Sequence, residues 1–331
     1  MKKLISLLLA VVMVLSLAAC GSSADGGEQP EQAGAAEPAK DDKLTFGLVV
    51  MSTNSDYWLT LRDGAQEAVD KIGGELVFTG PTDNNDIQGQ VTLVENLITS
   101  KVDAILLTPL DSDALVAPVE KAMDAGIPVI VIDGPVNTEK YTTYIATDNI
   151  AGGALAMDKL AELMGEEGEA VVINALAGIP SNDARGQGAE DKATDYPNIT
   201  MLEQQHCLDQ AEALNATENI ITGNPNLKGI FATFNRGALG AAQAVINKNA
   251  QDSIKLIGFD ADADEIKYLE EGVIDALIVQ QPYLMGTMGI EYAVKAINGE
   301  EVEKNVAPDV CLATKDNMND PDVHEILFPN E

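Results

Sequence analysis

The stretch AILLTPLDSDALVAPVEKAMDAGIPVIVID, residues 104–133, decides the fold. It contains two short aliphatic runs, AILLT at 104–108 and VIVID at 129–133, on either side of a segment with helical spacing at 115–125. Continuous runs of Val, Ile and Leu separated by helices are typical of parallel strands whose sheet is covered on both faces. The stretch therefore predicts an α/β fold built on a parallel sheet.

The same alternation continues in both directions along the chain. Towards the N terminus it predicts strands at 44–51 and 75–78 and helices at 57–72 and 87–99. Towards the C terminus the order recurs: AVVINA at 170–175 corresponds to the first strand, GIFAT at 229–233 to AILLT, and LIGFD at 256–260 to VIVID. A recurrence of this kind indicates an internal duplication. The sequence therefore predicts two similar α/β lobes.

Composition excludes several classes of partner. The 331 residues include 53 Asp and Glu but only 20 Lys and Arg, for a net charge of −33. Such a surface repels a phosphate backbone, so no nucleic acid is expected as a partner. Two His and three Cys give little material for a metal site, and we expect no metal and no cofactor. The spacing of acidic residues from Asp260 to Glu271 is similar to a calcium loop, but Glu265 occupies the position that requires Gly.

The N terminus predicts export and anchoring. Residues 1–19 have two lysines, an apolar run and small residues, which is typical of a signal peptide. LAAC at 17–20 resembles the bacterial lipobox, which implies cleavage before Cys20 and a lipid on its thiol. Residues 21–42 contain no large apolar side chain and are predicted to be a disordered tether. We therefore expect an extracytoplasmic globule that a lipidated Cys20 anchors to the cell membrane. The sequence does not decide whether Cys207 and Cys311 form a disulfide in that compartment.

Polar and aromatic residues follow the predicted strands, where ligands bind in open parallel sheets. These are Asn54, Tyr57 and Trp58 after the first strand, Asp133 after VIVI, Arg185 after AVVIN, Phe234 and Asn235 after IFAT, Asp260 after LIGF, and Gln280 at the end of a further apolar run. Carboxylates, Arg, amides and a flat aromatic together suit a neutral polyol. Simpler roles also fit: helix caps for the two aspartates, a surface ion pair for Arg185, and core packing for Trp58.

Residues 44–314 resemble the type I periplasmic sugar-binding proteins, above all the ribose-binding proteins. The matching stretches are VVMSTNSDYWLTLRDGAQ, DAILLTPLDSDAL, GIPVIVID, YIATDN, ARGQG, IFATFNRGALGA, LIGFDAD and IVQQP. The resemblance implies two Rossmann-like lobes joined by three hinge crossings, which close on a sugar and deliver it to the transmembrane subunits of an ABC permease. It places one lobe at 43–147 plus 282–307 and the other at 148–281 plus 308–331.

The resemblance also implies roles for individual residues. Asn54, Tyr57 and Trp58 match an Asn and two stacking aromatics, and the residues that match sugar hydrogen-bonding positions are Asp133, Arg185, Asp260 and Gln280. The chain departs from the ribose proteins at Gly134 in place of Arg, Phe234 in place of Asn (with Asn235 next to it), and Leu208 in place of Phe. These departures favour a larger, deoxy or otherwise less polar ligand than ribose.

The expected function is a solute-binding protein for a monosaccharide or related polyol. We expect a monomer. We do not expect an enzyme, because the phosphate-binding, nucleophile-elbow and metalloprotease motifs are absent. A ligand-sensing module for a membrane receptor, including one for a furanosyl autoinducer, remains an alternative. The sequence leaves the identity of the sugar and any bound ion open.

Overall fold

The computed structural model describes residues 43–83 and 85–329. The predicted signal peptide, the predicted lipidation site Cys20 and the predicted tether lie outside the described residues. Within them, no helix is both long and apolar enough to cross a bilayer.

Strands and helices alternate along the chain as the aliphatic runs predict. The first part contains β1 (Thr45–Val49), α1 (Asp56–Lys71), β2 (Glu75–Thr79), α2 (Ile87–Ser100), β3 (Ala104–Leu107), α3 (Val116–Asp124), β4 (Val129–Ile132) and β5 (Thr143–Ile145). The middle part contains α4 (Asn149–Met164), β6 (Gly168–Asn174), α5 (Pro180–Ala193), β7 (Ile199–Met201), β8 (Gln205–His206), α6 (Gln210–Gly223), β9 (Leu227–Ala232), α7 (Asn235–Asn247), β10 (Lys255–Phe259), α8 (Ala263–Glu271) and β11 (Ala276–Val279). The last part contains α9 (Pro282–Ile297), β12 (Asn305–Val306), β13 (Cys311–Thr314) and α10 (Pro321–Leu327).

The strands form two sheets. The first has the order β12-β5-β4-β3-β1-β2 and is parallel throughout. The second has the order β13-β11-β10-β9-β6-β7, with β8 also paired to β6, and its only antiparallel strand among the described residues is β13. The chain passes between the sheets after β5, after β11 and after β12. The α/β fold with two parallel sheets is confirmed, and the antiparallel β13 is an addition to it.

Apolar clusters cover both faces of each sheet. In β3, Ala104 and Leu106 belong to a cluster with α1 and α9, while Ile105 and Leu107 belong to another with α2 and α3. Neighbouring residues of a strand point to opposite faces, so burial on both faces requires an unbroken aliphatic run. Each fully buried Leu or Ile contributes about 1.5–3 kcal/mol. Two further clusters cover the second sheet in the same way.

Glycines bring two pairs of helices into backbone contact. A Cβ on Gly64 of α1 would collide with the carbonyl oxygen of Tyr283 on α9, and a Cβ on Gly286 of α9 would collide with that of Leu61. Gly153 of α4 makes the equivalent approach to the carbonyl oxygen of α5 residue Arg185. Since α1 and α5 carry predicted ligand-binding residues near their first turns, these contacts fix where those side chains lie.

Two questions raised by the sequence concern residues in or next to the second sheet. Cys207 and Cys311 are both free thiols, and burial raises the pKa of each. The calcium-like spacing after Asp260 does not form a loop, because α8 begins at Ala263 and runs to Glu271.

Candidate ligand-binding site

A cleft of about 940 Å³ lies where strand ends of both sheets meet. Seven of the nine predicted ligand-binding residues line it: Tyr57, Trp58, Asp133, Arg185, Asn235, Asp260 and Gln280. They lie in the segments that follow strands of both sheets, as the rule for ligands at the carboxyl ends of parallel strands predicts.

Two aspartates occupy equivalent positions at strand ends. Asp133 follows β4 with φ 66°, and Asp260 follows β10 with φ 86°. The left-handed conformation costs about 1–2 kcal/mol for most residues and is best tolerated by Asn and Asp. The backbone N–H of Asp133 donates to Ile145 O, and that of Asp260 to Ile278 O, both at 2.9 Å. Neither aspartate caps a helix, because β5 follows Asp133 and α8 has another N-cap residue, so the capping alternative is wrong.

A chain of hydrogen bonds links the two sheets across the cleft. The Tyr57 hydroxyl donates to Asp133 Oδ1 at 3.0 Å and lies 3.5 Å from Gln280 Oε1. Gln280 Oε1 accepts from the Thr147 hydroxyl at 2.7 Å, and Gln280 Nε2 donates to Asp260 Oδ1 at 2.7 Å. Gln280 thus uses both ends of its amide on protein partners and connects Asp260 to the first sheet.

Burial raises the pKa of two groups in this network, Tyr57 and Asp133. It raises the pKa of Tyr57 well above its ordinary value, with further increases from Asp133 and Asp260 and a smaller opposing effect of Arg185. Burial also raises the pKa of Asp133, while the Tyr57 hydrogen bond and Arg185 oppose the increase. Tyr57 is therefore a permanent donor, and its hydroxyl helps to keep the Asp133 carboxyl ionised.

Arg185 is a buried cation whose direct partners are all neutral. Its Nε donates to Asn149 Oδ1 at 2.8 Å, and its Nη1 donates to Thr233 O at 2.9 Å and to Asn182 Oδ1 at 3.3 Å. The guanidinium carbon lies 3.7 Å from the centroid of the Phe259 ring. Nη2 has no partner in the part of the chain that the structure describes, which leaves its donors for a ligand. Arg185 is buried and hydrogen-bonded to neutral groups, so the alternative of a surface ion pair is wrong.

Trp58 packs in the core and also reaches the cleft. Its side chain is buried in the core cluster of the first sheet, and it also forms part of the cleft wall. The Tyr57 and Trp58 rings meet edge to face, with centroids 4.7 Å apart and an interplanar angle of 84°. Trp58 is the only tryptophan in the chain.

Two predicted residues do not reach the cleft. Asn54 is exposed, and its side chain accepts a hydrogen bond from Ser52 in its own turn. Phe234 has extended backbone angles as the N-cap residue of α7, and its ring packs on the core cluster of the second sheet and against Gly237. Its neighbour Asn235 faces the cleft instead.

Several residues that line the cleft were not among those predicted from the sequence. One face of α8 lines the cleft through Ala263, Ile266, Lys267 and Glu270, and the C-terminal segment contributes Ile326, Leu327, Phe328 and Pro329. The helical spacing of the first set was readable from the sequence. The approach of the C-terminal segment carries no local signal, since it depends on how α10 packs against the second sheet.

The cleft offers many acceptors and few cations. Its carboxylates belong to Asp56, Asp133, Asp260, Asp262 and Glu270, and its cations to Arg185 and Lys267. Carboxylates accept hydroxyl protons and Arg donates in a fixed fork, so this set is suited to a neutral, hydroxyl-rich molecule and repels an anionic one.

The chain is similar to a known family over most of its length. The family described as "Periplasmic binding protein domain" matches residues 46–301. The ribose import binding protein RbsB of Bacillus subtilis is 30% identical over 315 residues, covering 95% of this chain and 100% of the relative. RbsB of Escherichia coli is 32% identical over 273 residues, covering 82% of this chain and 91% of the relative.

Solved structures give the same result. A carbohydrate transporter solute-binding protein of Agrobacterium radiobacter, in complex with D-arabinose, has a TM-score of 0.75 at 32% identity and covers 87% of this chain and 100% of its own. An ABC transporter periplasmic solute-binding protein of Actinobacillus succinogenes, with bound D-allose, has a TM-score of 0.76 at 31% identity and covers 83% of this chain and 98% of its own.

Proposed function

The chain belongs to the type I periplasmic sugar-binding proteins of ABC transporters, and we propose that it captures a monosaccharide or related polyol in the cleft described above. It is an extracytoplasmic sugar-capturing protein for transport and not an enzyme. The sensing alternative is not favoured, since these relatives are import and transport proteins. The observation that carries the proposal is the convergence of Asp133, Asp260 and Arg185 on one cleft.

Each of these groups has a distinct proposed task. Asp133 and Asp260 accept protons from the sugar hydroxyls, and Arg185 Nη2 donates to a ring or hydroxyl oxygen. The exposed part of Trp58 covers the apolar C–H face of the ring. Gln280 acts mainly by holding Asp260, because both ends of its amide are already engaged.

We further propose that the two sheets belong to two lobes that close on the ligand. The lobes are 43–147 plus 282–307 and 148–281 plus 308–331. The three chain passages between the sheets support this division, since they lie near these boundaries. The backbone contacts between α1 and α9 and between α4 and α5 support lobes that move as rigid bodies.

The N terminus supports a proposal for cellular placement. We propose that residues 1–19 are a signal peptide, that Cys20 carries a lipid, and that residues 21–42 tether a monomeric globule to the membrane near its permease. Mass spectrometry of the mature protein from its host is expected to give an N-terminal peptide that begins with lipidated Cys20. An unmodified N terminus downstream of Cys20 would contradict anchoring and leave sugar binding untouched.

The function itself is tested by ligand titration. Purified protein is titrated with D-ribose, D-allose, D-arabinose and a wider panel of sugars and polyols, with the fluorescence of Trp58 and the melting midpoint as readouts. A true ligand at about 100 times its Kd adds about 2.7 kcal/mol to the free energy of unfolding. Failure of every neutral sugar and polyol to shift either readout would refute the proposal.

A further inference from the structure

Glu265 is a fully buried carboxyl next to the cleft, and the roles proposed above leave it unused. Its exposed fraction is 0%. Glu265 Oε2 accepts hydrogen bonds from Asn235 Nδ2 at 2.9 Å and from the backbone N–H of Asp262 at 3.1 Å. Oε1 has no hydrogen-bond partner among the described residues. Burial of a carboxyl costs free energy that these two hydrogen bonds offset only in part.

The two groups that Glu265 holds both belong to the cleft. Asn235 is the first residue of α7 and lines the cleft. Asp262 ends the short turn that begins at Asp260, the strand-end aspartate with φ 86°. Glu265 therefore joins the start of α7 to the β10–α8 connection. The first contributes Asn235 to the cleft lining, and the second contributes Asp260 and Asp262.

We propose that Glu265 is a positioning residue that orients Asn235 and the turn at 260–262 towards the ligand. This inference rests on the proposed function, because it assigns a supporting residue to the same site. Without the carboxyl, the Asn235 amide loses its anchor and is free to rotate. The backbone N–H of Asp262 is left without its acceptor, so the turn that aims Asp260 is loosened as well.

The surroundings of Glu265 favour the neutral acid. A Cβ on Gly258 of β10 would lie 3.4 Å from Oε1, so this oxygen faces the sheet and not solvent. Burial raises the pKa of Glu265 well above its ordinary value, and Asp260 and Asp262 raise it further against the opposing hydrogen bonds. These two carboxylates are the charged groups that act on it within the described chain, and α7 contributes the neutral amide of Asn235. Burial thus opposes a charge on Glu265, while Oε2 accepts both hydrogen bonds.

The test compares a conservative and a disruptive substitution. Whichever of D-ribose, D-allose and D-arabinose binds the parent is titrated into Glu265→Gln, Glu265→Leu, Asn235→Ala and the double variant Asn235→Ala/Glu265→Leu. We expect E265L to weaken binding by roughly tenfold or more and E265Q by less than about threefold, because the glutamine carbonyl accepts both hydrogen bonds. In the N235A background E265L should cost less than it does alone, because part of its effect passes through Asn235.

A pH profile separates positioning by a neutral acid from general support of the fold. A carboxyl that stays protonated when folded but ionises when unfolded loses stability as the pH rises above its unfolded pKa. The melting midpoint of E265Q minus that of the parent should therefore increase from about pH 5 to about pH 9. Three results would each overturn the inference. They are parallel pH profiles of the melting midpoint in E265Q and the parent, a loss of affinity in E265Q as large as that in E265L, and fully additive losses of affinity for E265L and N235A. If the parent binds none of the three sugars, the same variants are titrated with the member of the wider sugar and polyol panel that does bind it. If no neutral sugar or polyol binds the parent, the proposed function loses its support and the inference falls with it; if the parent binds and E265L binds equally well, only the inference fails.

Discussion

Replacement of Asp260 by Asn removes one charge and one acceptor from the cleft while keeping the shape of the side chain. The Asn oxygen still accepts from Gln280 Nε2, which lies 2.7 Å from Oδ1 in the parent. Asn also tolerates the left-handed φ of 86° at this position. The ligand-free protein should therefore melt close to the parent. The second oxygen, however, becomes an NH₂ donor at a position where the proposed site needs an acceptor for a sugar hydroxyl.

The expected loss of affinity follows from that mismatch. Loss of one partner of a buried charged hydrogen bond costs about 2–5 kcal/mol. At about 1.4 kcal/mol per decade, the Kd of Asp260→Asn should rise between roughly 30-fold and a few thousandfold. Isothermal titration calorimetry with the cognate sugar measures the Kd, and melting curves without sugar check the fold.

Asp264→Asn is the matched control for this substitution. Asp264 lies on the first turn of α8, is exposed and does not line the cleft, so the same charge is removed four residues away. Its Kd should stay within about threefold of the parent, since exposed charges are screened. Equal losses in the two variants would mean that the overall negative field, and not a direct contact, governs binding. Unchanged affinity in Asp260→Asn would refute the proposed site.

Three further outcomes are expected. Arg185→Ala should weaken binding and also lower the melting midpoint of the ligand-free protein, because its buried acceptors lose their donors at about 1–3 kcal/mol each; an unchanged midpoint would contradict the geometry. In Tyr57→Phe the pKa of Asp133 should rise, because the hydrogen bond that lowers it is lost. As the pH is lowered, sugar binding should therefore be lost at a higher pH than in the parent, and calorimetry across pH measures this difference. Gly64→Ala should destabilise the protein by about 1–3 kcal/mol, whereas Gly223→Ala, where the added Cβ meets nothing, should not; chemical denaturation compares the two.

The sequence predicted the fold well because the fold depends on local patterns. Aliphatic runs buried on both faces and helical spacing between them placed every strand and helix at 44–133 within two residues of its observed boundary. The recurrence of the pattern identified the second sheet. Asp133 and Asp260 were found because strand ends can be located from these runs alone.

The remainder of the site depends on single-residue choices and on long-range packing. At the start of α7, Phe234 packs on the core and its neighbour Asn235 lines the cleft. The position of a strand end in the sequence does not indicate which of two adjacent residues faces the ligand. Asn182 lies three residues before Arg185 on the same helix, but the acceptors Asn149 and Thr233 O come from two distant segments. Their convergence is a property of the tertiary structure that no local sequence signal indicates.

The glycine contacts between helices limit how this protein can change its ligand. Positions such as Gly64, Gly153 and Gly286 accept no side chain without separating two backbones, so variation there is closed to both evolution and design. The turns after the strands make no such helix contact, and their main restriction is the left-handed φ of Asp133 and Asp260, which favours Gly, Asn and Asp. A library aimed at a new sugar should therefore vary the strand-end turns and leave the glycines of α1, α4 and α9 unchanged. Lineages that diverge in ligand are expected to differ at the rim and to keep these helix contacts.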